Sequence, residues 1–268
     1  MKNAKYLLTI AALAALVFVG FSAFITEPNN LKPPVASTED LATREANRNE
    51  FPFMVDIKVG GTAGGCGILI SPEWVLTSAA LLQGSSAADL TFGIHNTNDF
   101  GNASEPAAVR VHVTANDITL HPSWNANNLD NNVALIRLPS PLATSAAIQP
   151  INTIDGTQNW VGQAAQGVGW GMYLINNVLK YSTTPQVVDV AMIAMQQANT
   201  TLGKSYHLSN HVAATGQTYT TTVLVTTAGG AKLIGFLNEG QIGGGTAVYS
   251  RFDHFSTWIE QNSGVFFN

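Results

Sequence analysis

Side chains able to move a proton or attack a carbonyl are sparse in this chain of 268 residues. Six histidines stand at positions 95, 112, 121, 207, 211 and 254, and the one cysteine is Cys66. The richest grouping sets His207 and His211 a few residues before the hydroxyls of Tyr219 and Thr220. An imidazole within reach of a hydroxyl can take its proton and make it a nucleophile for acyl transfer. That chemistry needs base, nucleophile and oxyanion donors to converge, which spacing alone does not supply. No Cys/His spacing suits zinc, and no nucleotide or haem motif occurs, so neither a metal nor a cofactor is expected.

The elements that would position these groups read as strands. Hydrophobic residues make up 46% of the chain, enough for a large core, and charged residues only 11%, with a net charge of −5. This balance excludes nucleic acid, whose partners cluster Lys and Arg. Short apolar runs follow one another between Gly, Asn, Asp and Pro. FMVDIKV, CGILI, WVL, LTFGI, AVRVHV and NVALIRL lie in Phe51–Ile148. AAQGVGW, QVVDVAMIAM, TTTVLVT, KLIGFL and TAVYSRF lie in Ile151–Ser250. Many short strands at close spacing predict an all-β sandwich or barrel in two halves. The clearest helix is the last, about 253–262, with Asp253 as N-cap, Phe255, Trp258 and Ile259 on one face, and Gly264 as its end.

At the N-terminus, Lys2 and Lys5 precede an uncharged apolar run from Leu7 to Phe24. Residues 1–24 are expected to be a signal peptide cleaved after Ser22, the alternative being a retained signal anchor. Either way the body is expected to be exported, hence secreted or, with an anchor, membrane-attached. Residues 25–49, with Pro28, Pro33 and Pro34, read as a linker or pro-like segment before a domain at 50–262. Cys66 is expected to be a small buried hydrophobe, the alternative being a thiol that pairs two chains. The sequons at Asn102 and Asn199 are compatible with N-glycosylation.

Five blocks, in order, make the pattern specific: EFPFMVDI, ILISPEWVLTSAAL, ITLHPSWNANNLDNNVALIRLPSPL, GVGWG and AVYSRFDHFSTWIEQN. Together they resemble the trypsin/chymotrypsin family of serine proteases, above all its insect and crustacean collagenase-like branch. The resemblance implies two six-stranded antiparallel Greek-key barrels, at about 50–148 and 149–250. It also implies a cleft between them and a short C-terminal helix. Such enzymes act through a serine, a histidine base and an aspartate that orients it, beside an oxyanion hole of backbone N–H groups.

Position by position, the resemblance implies a degenerate triad. The histidine of V-L-T-A-A-H-C falls on Ala80, and the cysteine after it on Leu81. The aspartate of N-D-I-A-L falls on Asn132. The serine of G-D-S-G-G falls on Thr220, and its three glycines on Thr218, Thr221 and Thr222. Threonine there disfavours the turn that aims N–H groups at an oxyanion. The released N-terminus falls on Asp40–Thr43, after Glu39, and the aspartate that receives it on Tyr219. The disulfide beside the histidine loses one half at Leu81, with Cys66 at or beside the other. The substrate edge holds Asn238 and Glu239 for serine and tryptophan, and retains Gly240.

Framework blocks persist beyond every substitution, which excludes a frameshift. The expectation is a non-catalytic serine protease homologue that binds a protein or peptide as regulator, decoy or carrier. The alternatives are an endopeptidase with a rebuilt site from Tyr219, Thr220, His207 or His211, and a secreted structural or storage protein.

Overall fold

In the computed structural model, described for residues 43–157, 159–175, 178–217, 223–226, 230–240 and 245–268, the apolar runs become antiparallel strands. The apolar N-terminal run and the rest of residues 1–42, Tyr219, and Thr220 with its flanking threonines lie outside the described residues. The chain enters through β1 (Thr43–Glu45), inside the segment expected to be linker. β1 pairs with a strand of the second half, Gln186–Ile193, and the Ala46 N–H donates to the Pro185 carbonyl. Arg44 and Glu50 bond side chain to side chain, and Ala46 is buried. The folded body therefore begins before residue 50. TRE carries no apolar alternation; its backbone is taken up by a neighbouring strand.

The first half holds β2 (Met54–Val59), β3 (Thr62–Ser71), β4 (Trp74–Thr77), β5 (Ala87–Phe92), β6 (Val109–Thr114), β7 (Ile118–Leu120) and β8 (Ala134–Arg137). Their order is β6-β5-β2-β3-β4-β8-β7, so β5 returns beside β2 as in a Greek key. One 3-10 turn, Ala115–Asp117, joins the two edge strands β6 and β7, so this curled half-barrel counts six strands with one of them broken. A four-residue helix, α1 (Ala79–Leu82), follows β4.

The second half holds β9 (Ala164–Gly169), the ribbon β10 (Met172–Ile175) and β11 (Val178–Tyr181), β12 (Gln186–Ile193), α2 (Met195–Leu202), β13 (His211–Gln217), β14 (Val223–Thr226), β15 (Lys232–Gly240) and β16 (Gly245–Arg251). β9 pairs with both β14 and β12, which closes a six-stranded barrel in the order β12-β13-β16-β15-β14-β9. The expected all-β fold with trypsin-like barrels is thus observed. α2 begins at Met195, where the run QVVDVAMIAM was expected to continue as strand.

β8, β14 and the latter half of β3 read as unbroken apolar runs because both faces are buried. Leu69 points into the first barrel, while Ile68 and Ile70 point into a layer shared by both halves. Leu224 points into the second barrel, while Val223 and Val225 join the shared layer. Each such side chain contributes roughly 1.5–3 kcal/mol on burial. Cys66 lies in the shared layer, 1% exposed, as expected of a buried hydrophobe and not of a thiol that reaches another chain. Leu81 packs on Gly65, with its Cδ2 3.2 Å from where a Cβ would stand. Leu81 thus meets the chain at Gly65, the residue beside Cys66.

The terminal helix, α3 (Phe252–Ser263), seals the shared layer with Phe255 and Ile259. Gly264 ends it in the left-handed region, at φ 71°. Its N-cap is Arg251, not Asp253. The Asp253 carboxylate sits in the first turn and is taken by the Arg251 guanidinium, so it leaves the backbone donors alone.

Candidate functional site

Where the two halves meet, the structure turns on one end of a backbone helix. α1 is a single turn, and Ser78 before it makes no side-chain cap. A helix start leaves N–H groups without partners. The Ala80 N–H finds one 52 residues away: it donates to Asn132 Oδ1 at 2.8 Å. Asn132, just before β8, is 2% exposed. The two positions inferred for histidine and aspartate therefore do meet, through a backbone donor and a side-chain acceptor.

That first bond sets every donor and acceptor beyond it. With Oδ1 occupied, Asn132 presents Nδ2, which donates to Asn238 Oδ1 on β15 at 2.7 Å. Asn238 then presents its own Nδ2. This reaches the Leu129 carbonyl at 3.0 Å and His211 Nε2 at 3.0 Å. His211 Nε2 must accept, so its proton sits on Nδ1, which donates to the His207 carbonyl at 3.2 Å. His211 is fully buried, and burial pushes its pKa down to about 4. Neutral imidazole is the form this chain of bonds requires. The result is a polar seam from α1 across the boundary between the two halves to β13, with no net charge in it.

A second group lies next to the seam. The Tyr206 ring packs against the His211 ring, centroids 4.8 Å apart and planes tilted by 54°. Its O–H donates to Glu239 Oε2 at 2.6 Å, and Lys204 Nζ stands 3.7 Å from the same oxygen. Burial and the Glu239 carboxylate both raise the Tyr206 pKa, so the phenol stays protonated. Asn199 on α2 holds this loop from behind: its Nδ2 donates to the Tyr206 carbonyl and its Oδ1 accepts the Tyr206 N–H.

The predicted residues divide accordingly. Ala80, Asn132 and Asn238 converge, and Glu239 and Gly240 continue along β15 beside them. Asn102 lies exposed on a turn, with its Nδ2 donating to Asp99 Oδ1 at 3.1 Å. Asn199 spends its amide on Tyr206, which opposes modification there. His211 has both ring nitrogens engaged inside the seam, so it is not placed as an open base. The sequence offered His211 as a base for a rebuilt site, not as a buried acceptor. Its bond to Asn238 joins groups 27 residues apart along the chain. Lys204 and Leu129 were missed altogether, the latter because a backbone carbonyl carries no sequence signal.

Comparison with known proteins fits this geometry. The Trypsin family model matches residues 41–259. The chain is 30% identical over 159 residues to Brachyurin of Leptuca pugilator, covering 59% of this chain and 67% of that protein. It is 24% identical over 243 residues to Granzyme B of Rattus norvegicus, covering 87% and 94%. It is 31% identical over 184 residues to a protein named Inactive CLIP domain-containing serine protease A3 of Aedes aegypti, covering 63% of this chain and 36% of that one. Five ordered sequence blocks, two packed antiparallel β halves with a C-terminal helix and a match over most of the chain agree that this protein belongs to the trypsin family of serine proteases.

Proposed function

We propose that this chain is an exported, non-catalytic member of its family that acts by binding a protein or peptide. The observation that carries this reading is the double commitment of Asn132. One end of its amide caps Ala80, and the other is a donor aimed at Asn238. In the family's mechanism the aspartate orients a histidine and stabilises its cation. An amide has no charge for that task, and Ala80 offers a methyl where the base would stand. The relatives named inactive, from Aedes aegypti and Anopheles gambiae, support the same direction. Export rests on the apolar run Leu7–Phe24, and the choice of partner on the strand edge Asn238–Gly240.

A fluorophosphonate probe tests the loss of chemistry. An active trypsin-family protease run in parallel is labelled, and this protein is expected to stay unlabelled. Labelling that disappears in Thr220→Ala would establish a rebuilt nucleophile and sink the reading.

A further inference from the structure

The outer face of the first half sets its charges in rows. The apolar residues of β2, β5 and β6 turn into the half-barrel, so the residues between them turn outward together. Cross-strand register then puts Arg110 opposite Thr91 and Thr91 opposite Asp56, with Cys66 beyond on β3. The two ends of this row do not meet. Asp56 is 8% exposed, and its Oδ2 has no partner among the described residues. Arg110 makes no ion pair among them either. Its Nε donates to Thr91 Oγ1 at 3.2 Å, and its guanidinium lies over the Phe100 ring, 3.7 Å from the centroid.

Phe100 is half-buried on the tip of the 93–108 loop, which joins β5 to β6. The base of this loop is fixed independently. Buried Glu105 takes the Arg48 guanidinium and the N–H groups of His95 and Asn96, and the Thr97 N–H donates to the Thr183 carbonyl. What remains for the tip is the cation over its ring.

Thr91 is a neighbour of both Arg110 and Asp56. Strands lie about 4.8 Å apart, so a shift of about one strand spacing carries the guanidinium off Phe100, across Thr91, to Asp56. The two seats differ in what they offer. A ring face attracts a cation at any pH. A carboxyl attracts it strongly only when ionised, and then through a charge-assisted bond in a shielded place. Burial raises the Asp56 pKa to about 6, against the pull of Lys58 and Arg110.

We propose that Arg110 is a two-position latch governed by the Asp56 proton. It lies on Phe100 while Asp56 is protonated and crosses to the carboxylate when the proton leaves, which frees the loop tip. Besides Lys58 and Cys66, the groups around this row are Asp89 and His112, bonded to each other at 2.8 Å, Asp99 on the loop, and Asp117, which acts on His112. Histidine also changes charge between about pH 5 and 8, so His112 receives its own control.

The test is NMR on the purified protein from about pH 4.5 to 8, reading the Arg110 Nε–H, the Phe100 ring and the Asp56 carboxyl. All three are expected to change with one midpoint near 6. Amide exchange at 98–104, corrected for its intrinsic pH dependence, is expected to quicken several-fold above it. Asp56→Asn is expected to hold Arg110 on Phe100 at every pH, and His112→Gln to leave the transition in place. Phe100→Leu keeps an apolar cover and removes the ring seat. It is expected to lower the Asp56 midpoint by about half a unit, and it reads the coupling even where Asp56→Asn fails to fold. The latch is overturned by Arg110 and Phe100 signals that stay flat while Asp56 titrates, or by an Asp56 that does not titrate in this range. A transition that survives Asp56→Asn or vanishes in His112→Gln, or a midpoint unmoved by Phe100→Leu, overturns it equally.

Discussion

Two buried polar systems in this molecule are built on opposite rules. The seam Ala80–Asn132–Asn238–His211 is neutral, and each donor along it meets an acceptor. Asp56 on β2 stands in register with Cys66 and Thr91, 8% exposed, and its Oδ2 has no partner among the described residues. Burial pushes its pKa up to about 6, against the pull of Lys58 and Arg110. The difference is where each system starts. The seam starts at a backbone N–H that cannot change its role, so the polarity of the whole chain of bonds is dictated. Asp56 starts from a charge that the fold relieves by holding on to a proton. Buried polar groups are cheap when fully paired and costly when one partner is absent.

The largest expected effect comes from cutting the seam at its middle. Asn132→Ala leaves the Ala80 N–H and the Asn238 Oδ1 buried without partners. A loss of about 2–4 kcal/mol is expected, since each orphaned group costs about 1–3 kcal/mol. Urea denaturation at pH 7 measures it. A loss below about 0.5 kcal/mol, the size of a surface substitution, would show that the seam does not hold the barrels together.

The next effect separates the two systems by pH. Asp56 has a folded pKa raised above its usual 3.8, so its stabilising contribution is present below pH 3.8 and is lost as pH rises to about 6. His211 has a folded pKa depressed to about 4 from its usual 6.5, so the fold is penalised as pH falls through that window. The two slopes oppose each other between pH 4 and 6 and mask one another. Asp56→Asn is expected to gain about 1–3 kcal/mol at pH 8, to gain little at pH 4, and to uncover a fall in stability below pH 6.5. Glu105 belongs to a separate window. Although burial opposes it, Arg48 and the N–H groups of Asn96 and His95 hold its pKa down to about 2, so its contribution is lost only as pH falls from 4.5 to 2. A variant whose stability stays flat from pH 6.5 to 4 would break the comparison.

The smallest effect sharpens the claim about polarity. Asn132→Asp still accepts from Ala80 but can no longer donate to Asn238. The Asn238 amide must turn, which sets its Oδ1 against His211 Nε2 and calls for a proton there. The His211 pKa is expected to rise by about one unit, or about 1.4 kcal/mol of preference for the charged ring. NMR titration of the imidazole measures this. An unmoved pKa would mean that the amide orientation is not transmitted along the seam.

Much of the framework is legible in the sequence, for a local reason. Strands with both faces buried need unbroken apolar runs, and WVL and NVALIRL have them. The stripe Phe255, Trp258 and Ile259 declares the last helix because a 3.6-residue period buries one face. The elements that escape notice lack a local signal. β1 is TRE, which owes its strand to β12. α2 opens inside an apolar run, where strand and helix look alike until Tyr206 and Asn199 bond across its end. At the site, residue types at 80, 132 and 238 are readable, but the direction of each hydrogen bond is not. An asparagine can face either way, and only its neighbours decide.

The sequence alone determined an all-β body, its terminal helix, its family resemblance and the absence of an imidazole at position 80. These follow from residue identity and short-range periodicity. Tertiary structure decided that Asn132 caps α1, that His211 serves as a buried neutral acceptor and that Glu239 is held at a strand edge by Tyr206. Each of these depends on groups between 27 and 106 residues apart that the chain must fold to bring within 3 Å or so. Hydrogen-bond polarity propagates through such contacts from a backbone N–H fixed by a helix, and no single residue in the sequence carries it.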